Sequence, residues 1–335
     1  MNDHRLYRFL VLLLLATAAV SARAQDPTTG GWIARETART YRAEARYPPH
    51  VRALAAGSED PIVAERTPSP ITVAPGEGDR ASLTVWPARV AFVAPAPIDL
   101  YAELHDLTGK SLAGDIAGDV VAEDGTLITT VRFFDDGLGP DHAAGDGRYS
   151  TRVDLPPRLT HDRAESYLVR ISGAARNDRG TRHATTGFQR SWPGARLTGR
   201  YRDRLVHGDL SLGAEVQVTR PGRYHLTATL VAVDGSPIGM AQTAAHLAPG
   251  SHWLELEYYG LVFHDRGVRG PYQVAAITLT DASAMPNALG DVQRNVHITR
   301  AYALRRFTHR PFGDLDLLDA ARRLETDADR AAGRP

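Results

Sequence analysis

The chain has 335 residues, 39 basic and 39 acidic side chains, 43% hydrophobic residues and no cysteine. A net charge of zero removes the electrostatic case for nucleic acid or an anionic membrane surface, and the missing thiols exclude disulfides, thiol catalysis and lipid attachment at a cysteine. At this length two hydrophobic cores are expected.

In chain order, Arg5 and Arg8 precede an apolar run from Phe9 to Ala16, and small residues lead to Ala22-Arg23-Ala24. This is the pattern of an export leader over 1–24, cleaved after Ala24, which predicts a periplasmic or secreted protein. Removing Arg5, Arg8, Arg23 and Asp3 with the leader takes 39 basic and 39 acidic groups to 36 and 38, a net charge of −2. No later apolar run is long enough to span a membrane.

Residues 25–67 read as an N-terminal segment, helical over Trp32 to Ala45 and stopped by Pro48-Pro49. The proline-rich stretch from Pro61 to Pro75 reads as a linker or edge strand. Beyond it, short apolar runs alternate with turn signals. Leu210, Leu212, Ala214, Val216 and Val218 alternate strictly, and Leu254, Leu256 and Tyr258 do so again. Val90–Val93, Leu127–Phe134, Tyr167–Ile171 and Tyr272–Leu279 are further β-rich runs, bounded by turns at Asp124-Gly125, Pro221-Gly222, Asp234-Gly235 and Pro249-Gly250. Many short strands at this spacing predict an all-β fold of two tandem immunoglobulin-like antiparallel β-sandwiches. The first occupies 68–192, Trp192-Pro193-Gly194 marks the boundary, and the second occupies 193–307. A helical tail fills 308–335, with Asp314 as N-cap and Leu317, Ala321 and Leu324 on one face.

Compared with itself, the chain repeats. Leu100, Ala102, Leu104, Gly109 and Leu112 fall on Leu226, Ala228, Leu230, Gly235 and Ile238 at an offset of 126. Downstream, Phe133, Asp135 and Gly137 echo Phe263, Asp265 and Gly267. The first copy carries FFDDGLGPDHAAGDGRY between Phe133 and Tyr149, whereas the second has arginines where the first has acids.

That acidic segment is the main site candidate. Asp135, Asp136, Asp141 and Asp146 alternate with glycines, a composition that turns the backbone and gathers the oxygens a hard cation such as Ca²⁺ requires. The spacing is not that of an EF-hand, and self-capped Asx-turns are the competing explanation. His142 adds one imidazole, a weak case for a transition ion. The thirteen histidines have no zinc spacing, although His246 and His252 flank one turn. No nucleophile elbow, Walker loop or dinucleotide fingerprint occurs, and no residue is assigned a catalytic role. Trp253 and Tyr259 are candidate ligand-binding aromatics for a sugar face, among Trp86, Trp192 and Tyr258, which as large aromatics in a sandwich are otherwise core.

The DDG…GDG-x-Y loop and the PGRYHLTATLVAVDG…GVRGPY pattern resemble exported bacterial proteins with tandem immunoglobulin-like domains of unknown function. The loop also resembles one found in surface proteins beside von Willebrand A-type domains. The resemblance spans roughly Pro68 to Phe307 and implies two sandwiches and export, with no catalytic residue. The expectation is an exported, non-enzymatic binding or scaffold protein of the bacterial envelope, whose partner is an envelope protein or glycan, with calcium the one candidate cofactor. The competing expectations are an envelope hydrolase or its accessory subunit, and a carbohydrate-binding module.

Overall fold

The computed structural model describes residues 27–74, 81–155, 164–176 and 180–332; the leader read at 1–24 lies outside them. The chain divides into two compact units, one holding the helical ends and the other holding residues 49–310.

In the helical unit, α1 (Pro27–Glu44) packs against α4 (Leu315–Ala331). Small side chains allow the approach: Ala38, Ala45, Ala321 and Ala328 are buried. Two ion pairs flank the seam, Arg35 with Asp329 at 2.9 Å and Arg42 with both oxygens of Glu325 at 3.0 and 2.5 Å. Asp314 caps α4 as expected, accepting from the N–H groups of Asp316 and Leu317. The first helix begins at Pro27, ahead of its predicted start at Trp32, and ends at Glu44. Among the described residues, no helix is long and apolar enough to cross a membrane.

The larger unit is the expected pair of sandwiches. In the first, β2 (Ile71–Val73), β3 (Ala81–Pro87), β5 (Ile98–Asp106) and β8 (Arg148–Val153) form a four-stranded sheet in the order β2-β3-β5-β8. It faces a five-stranded sheet built from β4 (Ala91–Val93), β6 (Gly114–Ala122), β7 (Leu127–Phe133), β9 (Ala164–Ala175) and β10 (Thr181–Ser191), in the order β4-β10-β9-β6-β7. Alternate residues supply the core, among them Leu83, Val85, Leu100, Leu104, Val120 and Val169, all fully buried. One pairing departs from the antiparallel expectation: β4 runs parallel to β10 at the sheet edge.

The second sandwich pairs a three-stranded sheet with a five-stranded one. Strands β11 (Ala195–Val206), β12 (Asp209–Val218) and β15 (Gly250–Tyr258) lie in the order β11-β12-β15. Opposite stand β1 (Val51–Ala53), β13 (Gly222–Ala232), β14 (Pro237–Leu247), β16 (Tyr272–Asp281) and β17 (Ala288–Ile298), in the order β1-β14-β13-β16-β17. The linker reading is corrected here for residues 61–66, whereas Ile71–Val73 is the edge strand that the same stretch also allowed. Pro61–Arg66 is helix α2, with proline at its first turn, where no intrahelical N–H is lost. Asp60 caps it through Ile62 N at 2.9 Å and Val63 N at 3.3 Å, and its other oxygen takes the buried Thr229 hydroxyl on β13. Segment 51–66 therefore packs on the second sandwich although it precedes the first in sequence.

The two sandwiches share a strand order, but the register that relates them is not 126. The β6–β7 and β13–β14 hairpins share a turn, Ala122-Glu123-Asp124-Gly125-Thr126 against Ala232-Val233-Asp234-Gly235-Ser236, at an offset of 110. In each, the aspartate accepts the N–H two residues on at 2.9 Å, and a register shift precedes the turn, at Val120/Val121 and at Leu230/Val231. Sheet order then equates β5 with β12, β6 with β13, β7 with β14 and β8 with β15. Strands of one sandwich share the same alternation, so self-comparison slides by a whole strand without penalty. The second echo fails for a different reason, because it equates the end of a strand with a helix. Phe263–Gly267 lies in α3 (Leu261–Arg266), which buries Leu261, Val262 and Phe263 and ends on left-handed Gly267.

The sandwiches are joined at Gly194. Its N–H enters the carboxylate of fully buried Asp281 at 3.0 Å, and its carbonyl takes the N–H of Thr219 at 2.7 Å and of Arg220 at 3.1 Å. Across the joint the Ser191 hydroxyl donates to the Leu289 carbonyl at 2.6 Å, and Arg89 pairs with Asp291. A Cβ at Gly194 would sit 2.4 Å from the Tyr224 hydroxyl and 2.9 Å from the Arg220 Cβ. Gly194→Ala is expected to lower stability by about 1–3 kcal/mol, read as a drop in melting temperature. A melting temperature unchanged within error would show that the joint tolerates displacement.

Candidate functional site

The loop from Phe134 to Gly147 connects β7 to β8, which belong to opposite sheets of the first sandwich. The strand correspondence shows how unusual it is, because the matching β14–β15 connection is only Ala248-Pro249. The acidic loop is thus an addition to the first sandwich alone. Register also fixes its place. Strands β5 and β8 start from opposite ends, with Ile98 beside Val153 and Glu103 beside Arg148. The chain leaves the first sandwich through Ser191, which lies at the Ala164 end of β9. The loop therefore stands at the end of the first sandwich away from the joint. In the second sandwich that same end carries the residues that clasp Gly194.

Within the loop the carboxylates organise the backbone. Asp135 accepts the N–H groups of Gly145 at 2.7 Å, Asp146 at 3.2 Å and Gly147 at 3.0 Å, closing the loop across ten to twelve residues. Asp141, buried, takes the N–H of Gly137 at 2.6 Å and of Ala143 at 3.2 Å. Burial pushes the Asp141 carboxyl up, but these N–H donors and the neighbouring His142 outweigh it and hold the group below its ordinary value. Asp136 and Asp146 make local turns, to Leu138 N at 3.0 Å and Arg148 N at 2.8 Å. Gly147 needs its left-handed φ of 87°, and a Cβ there would lie 2.4 Å from Ser111. Tyr149 anchors the loop's root, its hydroxyl receiving the Gly114 N–H at 2.8 Å and donating to the Leu112 carbonyl.

Three of the four predicted ligands meet. Asp135, Asp141 and Asp146 each bring one oxygen within 4.8 Å of the other two, and Asp136 is not among them. A carboxylate oxygen that accepts one N–H keeps a second lone pair, so this set can hold a hard cation, with carbonyls or water completing six to eight ligands. Leu138 and Phe134 stand exposed beside it.

The aromatic candidates do not share a platform. Trp253 points outward from β15, half-buried, with the Arg202 guanidinium 4.1 Å from its ring centre and Arg200 at 5.9 Å. Arg202 also pairs with Glu255, and Arg200 with the buried Glu215 at 3.1 Å. Tyr259 is half-buried and donates its hydroxyl to the Arg310 carbonyl at 2.8 Å. Six residues along an extended chain separate the two by roughly 20 Å. Tyr258 is core as its register predicts, and Trp86 stacks on Tyr101 at 5.7 Å. Of the two turn histidines, His252 is bound to the Ala248 carbonyl at 2.8 Å.

Sequence reading missed a cluster on the edge of the second sandwich. Asp203 on β11 accepts from His297 at 2.9 Å, from the Tyr302 hydroxyl at 2.6 Å, and from the Arg300 N–H and guanidinium at 3.2 and 3.3 Å. Beside it the Tyr201 hydroxyl bonds Gln293 at 2.7 Å. These bonds tie β11 to β17 and the segment after it across a gap with no ladder between them. The partners lie more than ninety residues apart, and no local motif announces such a set.

Residues 194–299 match the C-terminal domain of DUF4785, a domain of unknown function. No curated protein matches the chain. Among solved structures, a DUF4785 family protein from Legionella pneumophila is similar at 17% identity with a TM-score of 0.48, over 67% of this chain. The chain spans 57% of the length of that protein. A Salmonella enterica SafA pilin in complex with the SafB chaperone is similar at 13% identity with a TM-score of 0.25, over 66% of this chain and 95% of that one.

Proposed function

We propose that this is an exported, non-enzymatic binding or scaffold protein of the bacterial envelope, and that the acidic loop is its calcium-stabilised binding tip. The observation that carries the reading is the insertion itself. One sandwich keeps a two-residue turn where the other carries fourteen residues, closed on their own amides and bearing three converging carboxylates. A loop tip on a rigid sandwich is where binding commonly sits, because the scaffold fixes it while its side chains stay exposed. The export pattern of the leader supports the envelope location. Calcium would be held by Asp135, Asp141 and Asp146, neutralising three like charges that otherwise repel.

Calorimetric titration of Ca²⁺ into the chelator-treated protein is expected to show one site, lost in Asp146→Asn. The melting temperature is expected to rise with Ca²⁺, and identical melting in excess Ca²⁺ and in chelator would remove the metal from the reading. The loop also has a pH signature without metal. A carboxyl held below its ordinary value contributes stability that is fully present above the unfolded value and is lost as pH falls through the folded one. Resistance of the Leu138–Ala144 tip to limited proteolysis is therefore expected to hold at neutral pH and to fail on acidification below the ordinary aspartate range. Asp135→Asn is expected to open the same tip at neutral pH, with a loss of about 1–2 kcal/mol. Equal cleavage of variant and wild type would show that these bonds do not order the loop.

A further inference from the structure

The whole-chain charge balance conceals a local asymmetry. Between Asp291 and Asp314 no carboxylate occurs, against five arginines and two histidines. The second half of this run is a strap, Thr299 to Arg310, laid over the loop that follows β15. It is held by backbone and by rings. Thr299 N–H donates to the Tyr272 carbonyl at 2.8 Å, Thr308 N–H to the Gly208 carbonyl at 2.8 Å, and His264 bonds the Phe307 carbonyl. Phe307 stacks on Phe263 at 4.3 Å, and its ring and that of Tyr302 are buried. A Cβ at Gly270 would lie 2.9 Å from the Tyr302 nitrogen, so the backbone next to Arg269 runs beside the strap.

The arginines on this support differ from those on the neighbouring sheet face. Arg200 and Arg202 are spent on Glu215 and Glu255. Arg300 is spent on Asp203, and its guanidinium and that of Arg306 lie 5.7 and 6.0 Å from the same Tyr302 ring. Arg269, Arg305, Arg306 and Arg310 are exposed, and among the described residues none of them makes an ion pair. Arg305, Arg306 and Arg310 fall close together in sequence, and the strap itself carries no carboxylate to neutralise them.

We propose that Arg269, Arg305, Arg306 and Arg310 form a binding surface for a chain of phosphate groups, such as a phosphorylated envelope polymer, with Arg300 and Asp203 positioning the strap. Guanidinium forks match phosphate oxygens in pairs. The strap is already ordered, so little conformational freedom is lost on binding. Within the strap the rings of Tyr302 and Phe307 are buried. The exposed large apolar side chains that flank it, Ile298 and Phe312, are too few to anchor a bilayer, which favours a polymer over a lipid surface. The surface is independent of the acidic loop, which stands on the other sandwich.

The test is binding of linear polyphosphate to the full chain, followed by calorimetry in chelator so that the calcium question is kept separate. The wild-type protein is expected to bind at low salt and to weaken as NaCl rises from about 50 to 300 mM. The double variant Arg305→Ala/Arg306→Ala is expected to lose about ten-fold or more in affinity, the equivalent of about 1.4 kcal/mol. Arg196→Ala/Arg204→Ala, on the outer face of β11, is expected to change it less than about two-fold. Both pairs are exposed, and circular dichroism confirms that each variant is folded. No binding at low salt, an equal loss in both variants, or binding to phosphatidylglycerol vesicles with none to polyphosphate would each overturn the proposal.

Discussion

A carboxylate without solvent is tolerated only when its oxygens are satisfied, and Asp281 meets that condition at the point where the chain passes between sandwiches. It takes the Gly194 N–H, the Ser283 N–H and the Ser283 hydroxyl. Because Gly194 has no room for a side chain, the connecting peptide is held against the second sandwich. The end of that sandwich which could carry long loops is thereby committed to the joint. The equivalent end of the first sandwich has no such duty, and there the added acidic loop is found.

The same chemistry recurs with different consequences. Asp60 caps α2 and takes Thr229, fastening a segment from before the first sandwich onto the second. Asp203 takes a histidine, a tyrosine and an arginine, and closes an edge that no backbone ladder closes. Asp135 takes three backbone amides and orders a long loop. With no cysteine in the chain, these carboxylate hydrogen bonds are the side-chain cross-links that join segments remote in sequence.

Much of this was legible beforehand. The alternation at Leu210–Val218 and Leu254–Tyr258 specified strands because each inward residue is buried. The Asp-Gly pairs marked real turns, and Asp314 marked a real cap. What failed was information that is not local. Proline at 61 reads as a breaker until a capping aspartate is placed before it. The repeat was found one strand out of register, since every inward-facing strand of a sandwich carries the same pattern. Within the acidic loop, composition identified the four carboxylates, while only geometry separates Asp135, Asp141 and Asp146 from Asp136. The Asp203 cluster depends on a register between strands remote in sequence, and the basic strap is hidden in a chain of balanced total charge.

The central claim is that the inserted loop on the first sandwich is a structured, ion-responsive tip and not a solvated connection. The most direct measurement is residue-resolved NMR of the backbone amides as Ca²⁺ is added to chelator-treated protein. The account predicts saturable shifts concentrated at Gly137, Ala143, Gly145 and Gly147, with the corresponding turn at Ala248–Gly250 silent. Shifts absent from the loop, or spread evenly over exposed carboxylates of both sandwiches, would contradict it.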